Sequence, residues 1–130
     1  MGNTGSFMVR WGPWKYIAFG TTLSTFEHYL PQLFNVVSDP EELHDVAASA
    51  AGVPIAKILD HKLRSVVNYT AIDREVKVND GAIYRQWFLG QKEGGKTLRK
   101  QWEHAYNGFS DEDWTAVQSW QKEILSLTPQ

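Results

Sequence analysis

Apolar residues recur at three- and four-residue spacing through most of this chain, and that period predicts helices. The clearest instance follows Ser110. Trp114, Val117, Trp120, Ile124 and Leu127 share one stripe, and Ser110 with Asp113 makes a capping box at its start. The acids Asp111, Glu112 and Asp113 also complement the dipole of that helix. A preceding helix from Lys96 to Tyr106 aligns Leu98, Trp102, Ala105 and Tyr106 and stops at Gly108, so that Asn107-Gly108-Phe109 joins an antiparallel pair. Between Pro54 and about Asn68, Ile55, Ile58, Leu59, Leu63, Val66 and Val67 oppose Lys57, Asp60, His61 and Arg64. Asp39-Pro40-Glu41-Glu42 reads as a helix start. Leu43, Val46, Ala47 and Ala50 follow and Gly52 is the stop, which predicts a short, Ala-faced helix. Residues 70–92 leave two readings open. Val76 and Val78 alternate with charge up to Asn79-Asp80-Gly81, a hairpin signal with Ala82 to Leu89 as return strand, while Asp80 also suits the cap of a short helix. The helix is preferred because the rest of the pattern is helical.

Near the N-terminus, Gly12-Pro13 followed by Trp14 to Leu30 predicts a helix over 13–30, with Pro13 at its first position and Pro31 ending it. At ~1.5 Å per residue its length is roughly 27 Å, close to the ~30 Å hydrocarbon core of a bilayer. Lys15 and Glu27-His28 would lie near its two ends, and Thr21, Thr22, Ser24 and Thr25 would face neighbouring helices. Composition sharpens this picture. Residues 1–37 hold only three charged side chains, Arg10, Lys15 and Glu27, but eight of the seventeen aromatics. The other 93 residues carry the remaining 25 charges. Amphipathic rings in a charge-poor segment suit a bilayer interface or a large partner surface. The expected contact residues are Trp11, Trp14, Tyr16, Phe19, Phe26 and Tyr29.

At 130 residues the chain has one domain's worth of core, organised as the aromatic segment 1–37 and a helical bundle over 38–130. A formal charge of −2 without a basic stripe gives no electrostatic footprint for nucleic acid. The absence of cysteine excludes disulfides, iron–sulfur clusters and thiolate zinc sites. His28, His44, His61 and His104 show no metal spacing, and no Gly-x-Ser-x-Gly elbow is present. Two motifs carry chemistry. Gly90 to Thr97 has the spacing of a phosphate-binding loop, with Gly90, Gly95, Lys96 and Thr97 as the candidate nucleotide contacts. The preceding segment carries Arg85 and Gln86, unlike a buried strand, and no later strand ends in an Asp for the metal, so a Gly/Lys turn is the preferred reading. Met1 to Ser6 has the N-myristoylation pattern with Gly2 as acceptor, although the polybasic second signal is missing. With that start the chain resembles the myristoylated retroviral matrix proteins in size and helicity, without their basic face.

The stretch Pro13-Trp14-Lys15, Gly20, Ser24, Phe26-Glu27 and Tyr29-Leu30 resembles the first membrane helix of the CAAX prenyl proteases, which are integral-membrane zinc enzymes. The resemblance covers about eighteen residues. The metal motif of that family has no counterpart in this chain, so it implies a membrane-embedded segment and no catalysis. These observations together give an all-α chain, an aromatic N-terminal helix followed by four or five short helices. The function expected is a non-enzymatic accessory subunit or adaptor of a membrane-associated complex, with no cofactor. Its partners would be other protein subunits and membrane lipid, with a mitochondrial membrane as candidate home. Nucleotide binding and a myristoylated, matrix-like adaptor are the alternatives.

Overall fold

The computed structural model describes residues 4–90 and 95–127. The chain divides into two compact units, one running to Arg74 and one starting at Glu75.

The first unit opens with a sheet, which overturns the all-α expectation. Strands β1 (Ser6–Trp11), β2 (Trp14–Phe19) and β3 (Gln32–Asn35) lie antiparallel in the order β1-β2-β3. Trp11 pairs with Trp14 across a two-residue turn, and Tyr16 pairs with Leu33. Gly12 has φ +56°, while the ring of Pro13 confines it to negative φ. Only a II′ turn accepts that combination, and its twist matches a hairpin. The Gly-Pro pair that signalled a helix start is therefore a hairpin turn. The membrane-length helix over 13–30 does not form, and among the described residues no helix is long and apolar enough to cross a membrane.

Strand periodicity is concealed in β2 because both of its faces are covered. Tyr16 and Ala18 point into the core at 3% and 1% exposure, and Ile17 and Phe19 on the other face are half-buried. The Phe19 ring meets Tyr29 at 5.7 Å, and Tyr29 stacks on Phe26 of a 3-10 turn (Ser24–Phe26) at 5.6 Å. The core joins Tyr16, Ala18 and Leu33 of the sheet to Leu59 and Leu63 of helix α1 (Gly52–Val66) and to Tyr69, the first residue of helix α2 (Tyr69–Leu89). Each leucine buried in this way contributes roughly 2 kcal/mol of transfer free energy.

The short helix expected from Asp39 to Gly52 is absent. The Asp39 carboxylate accepts the N–H groups of Leu43 (3.1 Å) and His44 (2.9 Å), which holds this stretch as a turn. Glu42 adopts φ +55° and receives Lys15 Nζ on both carboxylate oxygens at 2.7 and 2.9 Å. Further on, Val46 N–H donates to the Leu33 carbonyl (2.9 Å) and Asp45 Oδ1 accepts from Leu33 N–H (3.0 Å), which covers the outer edge of β3. Gly52 is the first residue of α1 and not a stop. A β-carbon at Gly52 would sit 1.7 Å from the carbonyl oxygen of Val46.

In the second unit α2 continues through Asn79-Asp80-Gly81 without a hairpin and ends at Leu89. Helices α3 (Gly95–Ala105) and α4 (Asp111–Ser126) follow. Leu98, Val117, Trp120 and Ile124 are buried, and Tyr84 meets the edge of Trp120 at 5.0 Å while accepting from the Gln121 amide. Ser110 caps α4 as expected. Its Oγ accepts from Asp113 N–H at 3.1 Å and its own N–H donates to Asp113 Oδ2 at 2.8 Å, an arrangement that contributes about 1 kcal/mol.

Candidate functional site

The first unit brings a carboxylate, a guanidinium and two phenols together. One turn of α1 sets Asp60 and Arg64 four residues apart on one face, β2 presents Tyr16, and the start of α2 presents Tyr69. Asp60 Oδ1 accepts from Tyr16 (2.9 Å) and Tyr69 (2.6 Å), and Asp60 Oδ2 accepts from Arg64 Nε (2.8 Å). Arg64 also donates to the Tyr69 oxygen (2.5 Å) and to Thr70 Oγ1 (3.2 Å), and its guanidinium carbon lies 4.1 Å from the Tyr69 ring centre. Three of its five N–H donors are thus committed, and the exposed remainder can take an anion.

The electrostatics follow from these bonds. Burial by itself would raise the Asp60 pKa, but the hydrogen bonds from Tyr69, Arg64 and Tyr16 outweigh it and hold the carboxyl below its ordinary range. Burial and the bond to Asp60 push the Tyr69 phenol up to about 12 and raise Tyr16 as well. Arg64 is held more firmly protonated, chiefly by its bond to Asp60. A phenol whose pKa is raised by folding stabilises the fold fully below its unfolded pKa of about 10, and that stabilisation is lost as pH rises through the folded value. Stability should therefore fall between about pH 10 and about pH 12. Urea midpoints measured across that window would show a weaker fall in Tyr69→Phe, and an identical slope in that variant would exclude the phenol as the cause.

Arg64, Tyr69 and Thr70 form one wall of a cavity of about 180 Å³, and Phe19, Thr21 and Tyr29 form another. The 20–22 stretch at its rim is fixed from below. Asp73, 2% exposed, accepts Thr22 N–H (3.1 Å) and Thr22 Oγ–H (2.6 Å) on Oδ2. Among the described residues its Oδ1 has no hydrogen-bond partner, and it packs against Gly20, where a β-carbon would stand only 2.0 Å away. Gly20 leaves the space that the carboxylate fills. Among the described residues, no group of three or more His, Cys, Asp or Glu is placed to hold a metal ion.

The six aromatic residues singled out in the sequence go to different places. Tyr16 and Phe26 are buried in the first unit, Trp14 and Phe19 are half-buried, and Trp11 and Tyr29 are exposed. The Trp11 ring is covered at 3.8 Å by Lys62 Nζ. Two of the six, Phe19 and Tyr29, line the cavity. Of the phosphate-loop candidates, Gly90 follows the end of α2 and Gly95 opens α3, while Gln91 to Gly94 and the side chains of Lys96 and Thr97 lie outside the described residues. Gly2 lies outside them too. Asp60, Arg64 and Tyr69 escaped notice as site residues. The Asp60/Arg64 spacing was the available signal, but nothing local marks Tyr16, 44 positions from Asp60, as their partner.

No family model matches the chain, and no solved structure matches it. Among known proteins it is similar to arylsulfatase K of Bos taurus, 31% identical over 122 residues that cover 92% of this chain and 22% of that protein. Arylsulfatase K of Homo sapiens is 30% identical over 122 residues with the same shares, and that of Mus musculus is 30% identical over 120 residues, 91% of this chain and 21% of that protein. The chain spans about a fifth of the length of these relatives. Relatives that carry an enzyme's name overturn the reading of a non-enzymatic accessory subunit or membrane-complex adaptor, together with its nucleotide-binding and myristoylated alternatives. They equally displace the resemblance to CAAX prenyl proteases, whose eighteen residues form strand and 3-10 turn here instead of a membrane helix.

Proposed function

We propose that this chain serves sulfate-ester hydrolysis of the arylsulfatase type, as the counterpart of about a fifth of such a protein, and that the cavity beside Arg64 receives the sulfated aromatic group. The identity to arylsulfatase K across 92% of the chain carries this reading. The cavity supports it chemically. Phe19 and Tyr29 line it with apolar rings that suit an aryl group, and Arg64 with the Thr70 hydroxyl offers donors to the sulfate oxygens. At about 180 Å³ the cavity is smaller than the ~300–1,000 Å³ of drug-sized sites, so it suits a single ring with its sulfate. Asp60 offsets the formal charge of Arg64, which favours modest affinity and places the selectivity in the geometry of the donors.

Titration of the full chain with 4-nitrophenyl sulfate tests this. The backbone N–H signals of Gly20, Thr21 and Thr70 in 1H–15N NMR spectra are expected to shift saturably, and Arg64→Ala should weaken binding about tenfold. Equal shifts with 4-nitrophenol, or none with either compound, would remove the sulfate reading of this cavity.

A further inference from the structure

The second unit contains a cavity of about 380 Å³ whose walls suit a ligand of the opposite charge. It lies where α3 gives way to α4. Trp102 on α3 and Tyr106, the residue just past its end, stack at 5.8 Å with their planes 12° apart, and both line the cavity. Phe109 adds a third ring, the buried Val117 lies among the lining residues, and Asn107 and Asp113 supply the polar groups. Among the described residues no Lys or Arg lines it. The capping box settles how the carboxylate is used. Ser110 N–H and Ser110 Oγ–H both donate to Asp113 Oδ2, at 2.8 and 2.7 Å, which leaves Oδ1 for a ligand and keeps the side chain in place.

Aromatic rings and a fixed carboxylate attract a cation, because the ring quadrupole and the carboxylate charge act with the same sign. A sulfate ester would be repelled by the same wall. We propose that this cavity binds an organic ammonium group, with Trp102, Tyr106 and Phe109 against the alkyl shell of the cation and Asp113 as its counter-ion. The volume falls within the range of small-molecule sites, and three rings with one carboxylate match the usual pattern of an apolar pocket with few polar groups. The inference rests on the unit from Glu75 onward and is independent of the cavity beside Arg64.

Choline and its neutral carbon analogue, 3,3-dimethylbutan-1-ol, separate charge from shape. On the full chain, choline should shift the Trp102 indole N–H signal saturably, with the neutral analogue about tenfold weaker. Tyr106→Ala removes a ring that is 53% exposed, so the fold should survive, and choline affinity should fall several-fold. Asp113→Asn, checked for helicity by circular dichroism, should bring choline down to the level of its analogue. Equal binding of the two compounds, tighter binding of a neutral methyl glycoside, an unmoved Trp102 signal, or unchanged affinity in both variants would each overturn the proposal.

Discussion

Replacing Asp60 by alanine should lower the stability of the first unit by about 3 kcal/mol. The side chain accepts three hydrogen bonds, two from phenols and one from a guanidinium. Bonds to a charged group contribute about 1.5–3 kcal/mol each when well shielded, and the part of Asp60 that is exposed reduces the sum. The larger consequence is what remains. Tyr16 is 3% exposed, and without Asp60 its hydroxyl loses the acceptor that its burial requires. Asp60→Asn keeps an acceptor for one phenol but forfeits the ion pair with Arg64, so it should fall between the wild type and alanine. Urea unfolding followed by far-UV circular dichroism measures both variants. An Asp60→Ala midpoint within about half a kcal/mol of wild type would mean the network adds nothing to folding, as exposed ion pairs often do not.

A still larger loss is expected from Gly52→Ala, at least about 3 kcal/mol, although alanine is the better helix former. The added methyl would lie 1.7 Å from the Val46 carbonyl oxygen and 2.8 Å from Ser49 Oγ. The obstacle is backbone, and Val46 is itself tied to β3 through the Leu33 carbonyl, so relief must displace either the strand edge or the start of α1. Thermal unfolding of the two proteins decides it. An unchanged or raised midpoint would show that the loop before α1 yields freely, and with it the account of how the 45–46 stretch covers β3.

These two sites differ in how far the sequence disclosed them. The helix from Pro54 was legible because its spacing is local, although of its apolar stripe Leu59 and Leu63 are buried while Ile58 and Val66 are exposed, and Ser110 with Asp113 was legible because a capping box is complete within four residues. The hairpin was not, for two reasons particular to this chain. Pro13 suits the first turn of a helix and the second corner of a II′ turn equally well, and Ile17 and Phe19 put apolar residues on the outer face of β2, erasing the alternation that marks a half-buried strand. At Asp39-Pro40 the carboxylate that could cap a helix instead holds a turn, and Glu42 within it pairs with Lys15, 27 positions earlier. The Asp60 cluster shows the same limit. Its Asp/Arg half lies within one helical turn, whereas its phenols come from a strand and from the next helix. The charge-poor opening segment has a similar explanation. Tyr16, Ala18, Phe26 and Phe34 are covered by the chain itself, so that much of its apolar character serves an internal surface.

The ties that complete the first unit are long ones. Tyr16 reaches Asp60 across 44 positions, and Thr22 reaches Asp73 across 51. Entropy must be spent closing such loops before the contacts can reward it, whereas α4 assembles its cap and first turn from neighbours. Refolding from denaturant should accordingly be biphasic, with helix signal from the C-terminal unit recovered first and the Tyr16 environment set in a slower step.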